Sequence, residues 1–122
     1  MMVVRGIRGA TTVEYNDADE MLTATNELLN EIVKNNNTDP KDIASVFITV
    51  TSDLNATFPA RAIRSMEGWE LVPLMCSVEI EVDHALAQCI RLMVMVNTTK
   101  EQHEIHHAYL NGATVLRPDL LK

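Results

Sequence analysis

Apolar residues crowd into Cys89-Ile90-Arg91-Leu92-Met93-Val94-Met95-Val96, where seven of eight positions are apolar. Such a run predicts a strand buried on both faces or nearly so. Arg91 is its one charged member. A guanidinium stays protonated at ordinary pH, and burying it unpaired costs roughly 3–5 kcal/mol. An anion must therefore meet it, either a carboxylate of the protein or one of a ligand. An internal Arg–Glu pair, or an arginine reaching water at a strand end, also meets that demand.

The same patterning predicts the other elements. Residues 2–10 read as a strand, with Val3, Arg5 and Ile7 on one face and Val4, Gly6 and Arg8 on the other. Gly6 and Gly9 bracket Ile7 and Arg8, which places Arg8 beside a gap left by small residues. A helix follows. Its stripe is Ala18, Met21, Leu22, Leu28, Leu29, Ile32 and Val33, with Thr25 filling the gap. Asn16 is its expected N-cap, and Asn35-Asn36-Asn37 stops it.

Asp39-Pro40-Lys41-Asp42 reads as a capped turn, and residues 44–51 as a β-branched strand. Pro59 opens a short helix that carries Arg61 and Arg64 on one face, and Gly68 lies past its end. Residues 69–75 read as a third strand, and residues 76–83 as a further one with Glu79, Glu81 and Asp83 alternating against Val78, Ile80 and Val82. Glu79 is the candidate partner of Arg91. Residues 100–104 read as a helical turn. Asn111-Gly112 between apolar runs predicts a closing hairpin.

Composition then narrows the function. A chain of 122 residues with 47% hydrophobic and 22% charged residues suits one domain, residues 1–122, with a real core. A formal charge of −7 argues against nucleic acid and anionic membrane as partners. The two cysteines, Cys76 and Cys89, form no disulfide-framework pattern. No signal peptide and no run near the ~20 apolar residues of a membrane span are visible, so the expected location is cytoplasmic. His84, His103, His106 and His107 have neither a helical HxxxH nor a zinc spacing, so no metal and no cofactor are expected.

Taken in order, the blocks Arg5-Gly6-Ile7-Arg8-Gly9-Ala10-Thr11-Thr12, Phe58-Pro59-Ala60-Arg61-Ala62-Ile63-Arg64, Gly68-Trp69, Val72-Pro73, Cys89-Ile90-Arg91, Ala108-Tyr109-Leu110 and Val115-Leu116-Arg117-Pro118-Asp119-Leu120 closely resemble the AroH-class chorismate mutases. The resemblance runs over essentially the whole chain. It implies a mixed α/β subunit in a homotrimeric pseudo-α/β barrel with sites between subunits. It also implies the Claisen rearrangement of chorismate to prephenate, on the way to phenylalanine and tyrosine.

Residue by residue, the resemblance gives Arg8 a substrate carboxylate and a place near the ether oxygen. It sets Arg91 against that oxygen, Glu79 against the ring hydroxyl with the Cys76 thiol beside it, and Tyr109 against the side-chain carboxylate. Phe58, Leu74 and Leu116 match apolar walls, and Ala60 and Met75 fall among the substrate-binding positions. Arg61, Arg64 and Arg117 match cations around the mouth and the ring carboxylate. Two positions depart from the family pattern: Arg61 stands where some members have lysine, and Met75 where threonine is expected. Any longer C-terminal lid of other members is expected to be missing after Lys122.

Such chemistry needs no nucleophile, metal or proton transfer, which agrees with a chain lacking the motifs for them. The residues alone leave two other readings open. One is a trimer that binds a small carboxylate metabolite without turnover. The other is a structural protein in which Arg91 and Glu79 are an internal pair.

Overall fold

Side-chain alternation and one long amphipathic helix build the fold seen in the computed structural model, which describes residues 1–116. The strands are β1 (Val3–Thr12), β2 (Ile43–Val50), β3 (Leu74–Val78), β4 (Cys89–Thr98) and β5 (Ala108–Tyr109). They form a sheet in the order β3-β2-β4-β1-β5. β4 is antiparallel to both β1 and β2, while the outer pairs β2–β3 and β1–β5 are parallel. Helices α1 (Ala18–Asn36) and α2 (Ala60–Arg64) complete the main elements, together with short 3-10 turns.

One face of the sheet meets the helices. Ile7 of β1, Val46 and Ile48 of β2, and Ile90, Leu92, Val94 and Val96 of β4 are buried there with Met21, Leu28, Leu29 and Ile32 of α1. Gly9 is the point of closest approach: a Cβ there would lie 2.6 Å from Ile32 Cδ1 and 3.1 Å from Leu28 Cδ1. Its role is clearance for α1. The opposite face is open. Phe47 and Met75 stand on it, 48% and 64% exposed, so β4 is buried on one side only, and Arg91, Met93 and Met95 face outward half-buried. The expectation of a doubly buried strand is corrected here, because no helix covers that side among the described residues.

Four local expectations also change. Asp17, not Asn16, caps α1 by accepting from the Glu20 N–H at 3.0 Å. Asn16 instead holds the β2–α2 loop, accepting from the N–H groups of Asn55 and Ala56 at 3.0 Å each. Residues 69–73 turn rather than extend: Trp69 is 3% exposed, and its N–H and that of Val72 close successive turns. Beyond β3 the acid–apolar alternation does not continue as a strand. β2 ends at Val50, whose carbonyl takes the Glu79 N–H at 2.8 Å, and Ile80 and Val82 then lie exposed.

Asn111-Gly112 makes a turn with Asn111 at φ 54°, but the chain continues as a 3-10 helix over Asn111–Val115. Hydroxyls of β1 capture it: Thr12 Oγ1 accepts from the Gly112 N–H at 2.9 Å, and Thr11 Oγ1 accepts from Asn111 Nδ2 at 3.0 Å. These bonds hold the turn against the end of β1 and leave no returning strand. Ala113 is thereby buried with Ala10, Cys89 and Tyr109 in a small second core. Burial pushes the Cys89 thiol up to about 11. Arg91 pulls the other way, and Glu79 and Asp53 reinforce the rise.

Two outcomes follow from this packing. Gly9→Ala forces α1 away from β1 and lowers stability by about 1–3 kcal/mol, read as a lower urea midpoint. Native Cys89 resists iodoacetamide at pH 8 and reacts appreciably only as the pH approaches 11, because alkylation needs the thiolate; mass spectrometry of the labelled peptide measures this.

Candidate active site

Strand register brings the two central arginines together. Arg8 of β1 pairs with Met93 of β4, and Ala10 pairs with Arg91. Arg91 and Met93 are two residues apart, so Arg8 and Arg91 leave the same, open face of the sheet. They are diagonal neighbours across an antiparallel pair, a spacing of about 7–8 Å between backbones. From the other side β2 sets Thr49 opposite Arg91 and Phe47 opposite Met93, on the same face.

Glu79 reaches this face from beyond β3. Its N–H bond to Val50 extends the β2–β3 alternation by one residue, and its Oε1 accepts from Arg91 Nη1 at 3.1 Å. The side chains of the pair are 42% (Arg91) and 24% (Glu79) exposed. At that exposure an ion pair contributes about 0–1 kcal/mol to stability. Arg91 also keeps most of its five N–H donors without a partner among the described residues. The Arg8 guanidinium has no hydrogen-bond or ion-pair partner among them. Both cations, Glu79 and Tyr109 line one cleft of about 240 Å³, together with Gly9, Phe47, Thr49, Leu92 and Met93. The neutral Cys89 thiol lies buried nearby.

Other expected site residues fall elsewhere. Leu74 and Cys76 have the opposite parity on β3 from Met75 and Glu79, and they pack against the helix-side core. Cys76 lines a second groove, of about 640 Å³, with Phe58, Arg61 and Val78 among its walls. Phe58 is 68% exposed, and Arg61 Nη1 donates to Thr57 Oγ1 at 2.8 Å. Ala60 is buried at the start of α2, and Arg64 is exposed near its end. Met75 stands on the open face beside Phe47 but lines neither cavity, and Leu116 packs against the Tyr109 cluster. Arg117 lies outside the described residues.

The described residues therefore divide into a cationic cleft on the open face and an apolar, singly cationic groove on the helix side. Phe47, Thr49 and Met93 were missed as cleft residues. Alternation along β4 already puts Met93 on the face of Arg91, but only the β2–β4 register, which alternation alone does not give, places Phe47 and Thr49 beside them. Among the described residues no three His, Cys, Asp or Glu side chains converge to hold a metal ion, and no helix is long and apolar enough to cross a membrane.

The arrangement has close counterparts. The chorismate mutase type I family model matches residues 4–120. Chorismate mutase AroH of Bacillus subtilis (strain 168) is 46% identical over 119 residues, covering 98% of this chain and 94% of that protein. Chorismate mutase AroH of Thermus thermophilus is 41% identical over 119 residues, covering 97% of each. A solved chorismate mutase from Clostridium thermocellum superposes with a TM-score of 0.89 at 50% identity, over 91% of this chain and 98% of that one. Agreement of this depth over nearly the full length places the fold and the family together: the chain belongs to the type I chorismate mutases.

Proposed function

We propose that this protein rearranges chorismate in a site assembled from two subunits of a cytoplasmic homotrimer, the Arg8–Arg91 cleft of one facing the Phe58–Arg61–Cys76 groove of the next. The chain is a chorismate mutase, an intramolecular isomerase that converts chorismate to prephenate in aromatic amino acid biosynthesis. The observation that carries the composite site is the division just described. Residues expected around one substrate lie on opposite faces of the sheet, so one subunit does not gather them.

In this reading Arg8 grips a carboxylate of the flexible dianion by charge-assisted hydrogen bonds and favours its compact reactive conformer. Tyr109 borders the same carboxylate. Glu79 accepts from the ring hydroxyl while steadying Arg91 on its other side. The neighbour supplies Cys76 beside that hydroxyl and Phe58 and Leu74 as walls, with Ala60 and Met75 among its substrate-binding positions. Its Arg61 and Arg64 sit around the mouth. Leu116, packed against the Tyr109 cluster, is a further apolar wall; Arg117, outside the described residues, keeps the cationic role that the resemblance gives it.

As the ether C–O bond breaks and the new C–C bond forms within the same molecule, negative charge collects on the ether oxygen. A fixed Arg91 guanidinium meets that charge more strongly in the transition state than in the ground state, which is the condition for raising kcat. Among the described residues most Arg91 donors and the whole Arg8 guanidinium have no partner, which supports an anion-binding cleft over a purely structural Arg91–Glu79 pair. Membership of the chorismate mutase family supports turnover over binding alone.

Chorismate turnover, followed by loss of its ultraviolet absorbance, tests the roles. Arg91→Ala raises the barrier by about 3–4 kcal/mol, a fall of roughly 10²–10³ in kcat, with the thermal midpoint little changed. Arg91→Lys is also severely impaired because it loses the planar fork; near-normal turnover by that variant would remove Arg91 from the mechanism. Subunit mixing tests the composite site. Arg91→Ala and the double variant Arg61→Ala/Arg64→Ala each damage one half. Refolded together in equal amounts, they regain about one quarter of intact sites, since three of four random trimers are mixed and each holds one undamaged interface. No recovery would mean that each site belongs to one subunit.

A further inference from the structure

The direction in which Arg8 enters the cleft depends on its backbone, because its side chain has no partner to hold it among the described residues; buried Ile7 anchors the strand before it, whereas Gly9 after it has no side chain to brace it. That backbone lies where the sheet edge is incomplete. The β1–β5 pairing begins at Gly9–Ala108 and continues at Ala10–Tyr109. Ahead of it, the Arg8 N–H donates to Nδ1 of the His107 side chain at 2.9 Å. A backbone N–H only donates, so Nδ1 in this contact carries a lone pair and no proton.

His107 is itself anchored. Asn36, in the last turn of α1 and 2% exposed, takes the His106 N–H on Oδ1 at 2.8 Å and returns Nδ2 to the His106 carbonyl at 2.8 Å. The same Nδ2 also donates to the Ile32 carbonyl at 2.9 Å. One buried amide thus grips residue 106, next to His107, at both its backbone N–H and its carbonyl. The Asn36 carbonyl accepts from Lys100 Nζ at 2.5 Å, which ties the start of this segment to the same helix end. A rigid path runs from the end of α1 through residue 106 to the imidazole, and from there to the Arg8 backbone.

We propose that His107 is a positioning residue for the rearrangement: its Nδ1 fixes the Arg8 backbone, and Asn36 fixes His107. The inference rests on the reading that Arg8 grips substrate. The geometry also specifies which replacement works. The amide oxygen of asparagine lies two bonds beyond Cβ, as Nδ1 does, and accepts a hydrogen bond. The oxygen of glutamine lies one bond farther out.

The test measures kcat/KM for chorismate in the full-length enzyme with Arg8→Ala as the reference variant. His107→Leu and His107→Gln lower kcat/KM roughly ten- to hundredfold, the scale of a small misplacement of a binding group. His107→Asn recovers most of that loss. In the Arg8→Ala background, His107→Leu produces no further fall, because the side chain it positions is gone. If His107→Leu does not fold, the asparagine–glutamine contrast decides alone. The proposal is overturned if the leucine and glutamine variants match the natural enzyme, if asparagine is as poor as glutamine, or if the loss multiplies in full onto Arg8→Ala. An impaired Arg8→Ala beside fully active His107 variants would overturn the positioning role and leave the site reading intact. Natural turnover by Arg8→Ala would overturn both.

Discussion

Two guanidiniums held on diagonal positions of one antiparallel pair repel each other, and the rest of the site answers that repulsion. Two unit charges about 7 Å apart cost about 0.6 kcal/mol in water and about 2 kcal/mol at an effective dielectric of 20. Glu79 offsets one of them at 3.1 Å, and the Arg8 guanidinium stays without a partner among the described residues. The cleft therefore carries a standing demand for anion although the chain carries a formal −7. A dianionic substrate meets that demand, and the local field does the attracting that the total charge opposes.

The geometry behind this demand is simple. β4 lies between β1 and β2, and its odd-numbered residues turn away from the helices. Arg91 and Met93 thus share a face with Arg8, Phe47 and Thr49. Gly9 lets α1 settle close on the other side, and Gly6 lies under the Met93 sulfur, so the sheet is thin on both sides of Arg8. The structural requirement for a close-packed helix and the functional requirement for an accessible cation are met by neighbouring glycines in one strand.

Much of this was legible in the sequence where local signals and packing agree. The α1 stripe, the turn at Pro40, the alternation of β1 and the β-branched run of β2 all express short-range patterns that the observed elements follow. The choice of Glu79 as partner of Arg91 also matches the ion pair observed. Legibility ended where a distant group decided the outcome. Thr11 and Thr12, about a hundred residues away in the chain, capture the Asn111-Gly112 turn and replace a hairpin with a 3-10 helix. The alternating acids after Glu79 lack a neighbouring strand once β2 has ended. The open outer face of β4 was hidden for a related reason: a run of apolar residues does not say whether a helix or another subunit covers it.

In the proposed trimer, Arg8 and Arg91 of one subunit and the Phe58–Cys76 groove of the next enclose a single substrate. A crystal structure with a bound bicyclic dicarboxylate ether, shaped like the rearranging transition state, tests this most directly. The expected result is the ether oxygen about 2.7–3.1 Å from an Arg91 nitrogen, a carboxylate on Arg8, and Phe58 and Cys76 of the neighbouring subunit against the ring. A ligand held wholly within one subunit, or bound away from Arg91, would rule out the composite site.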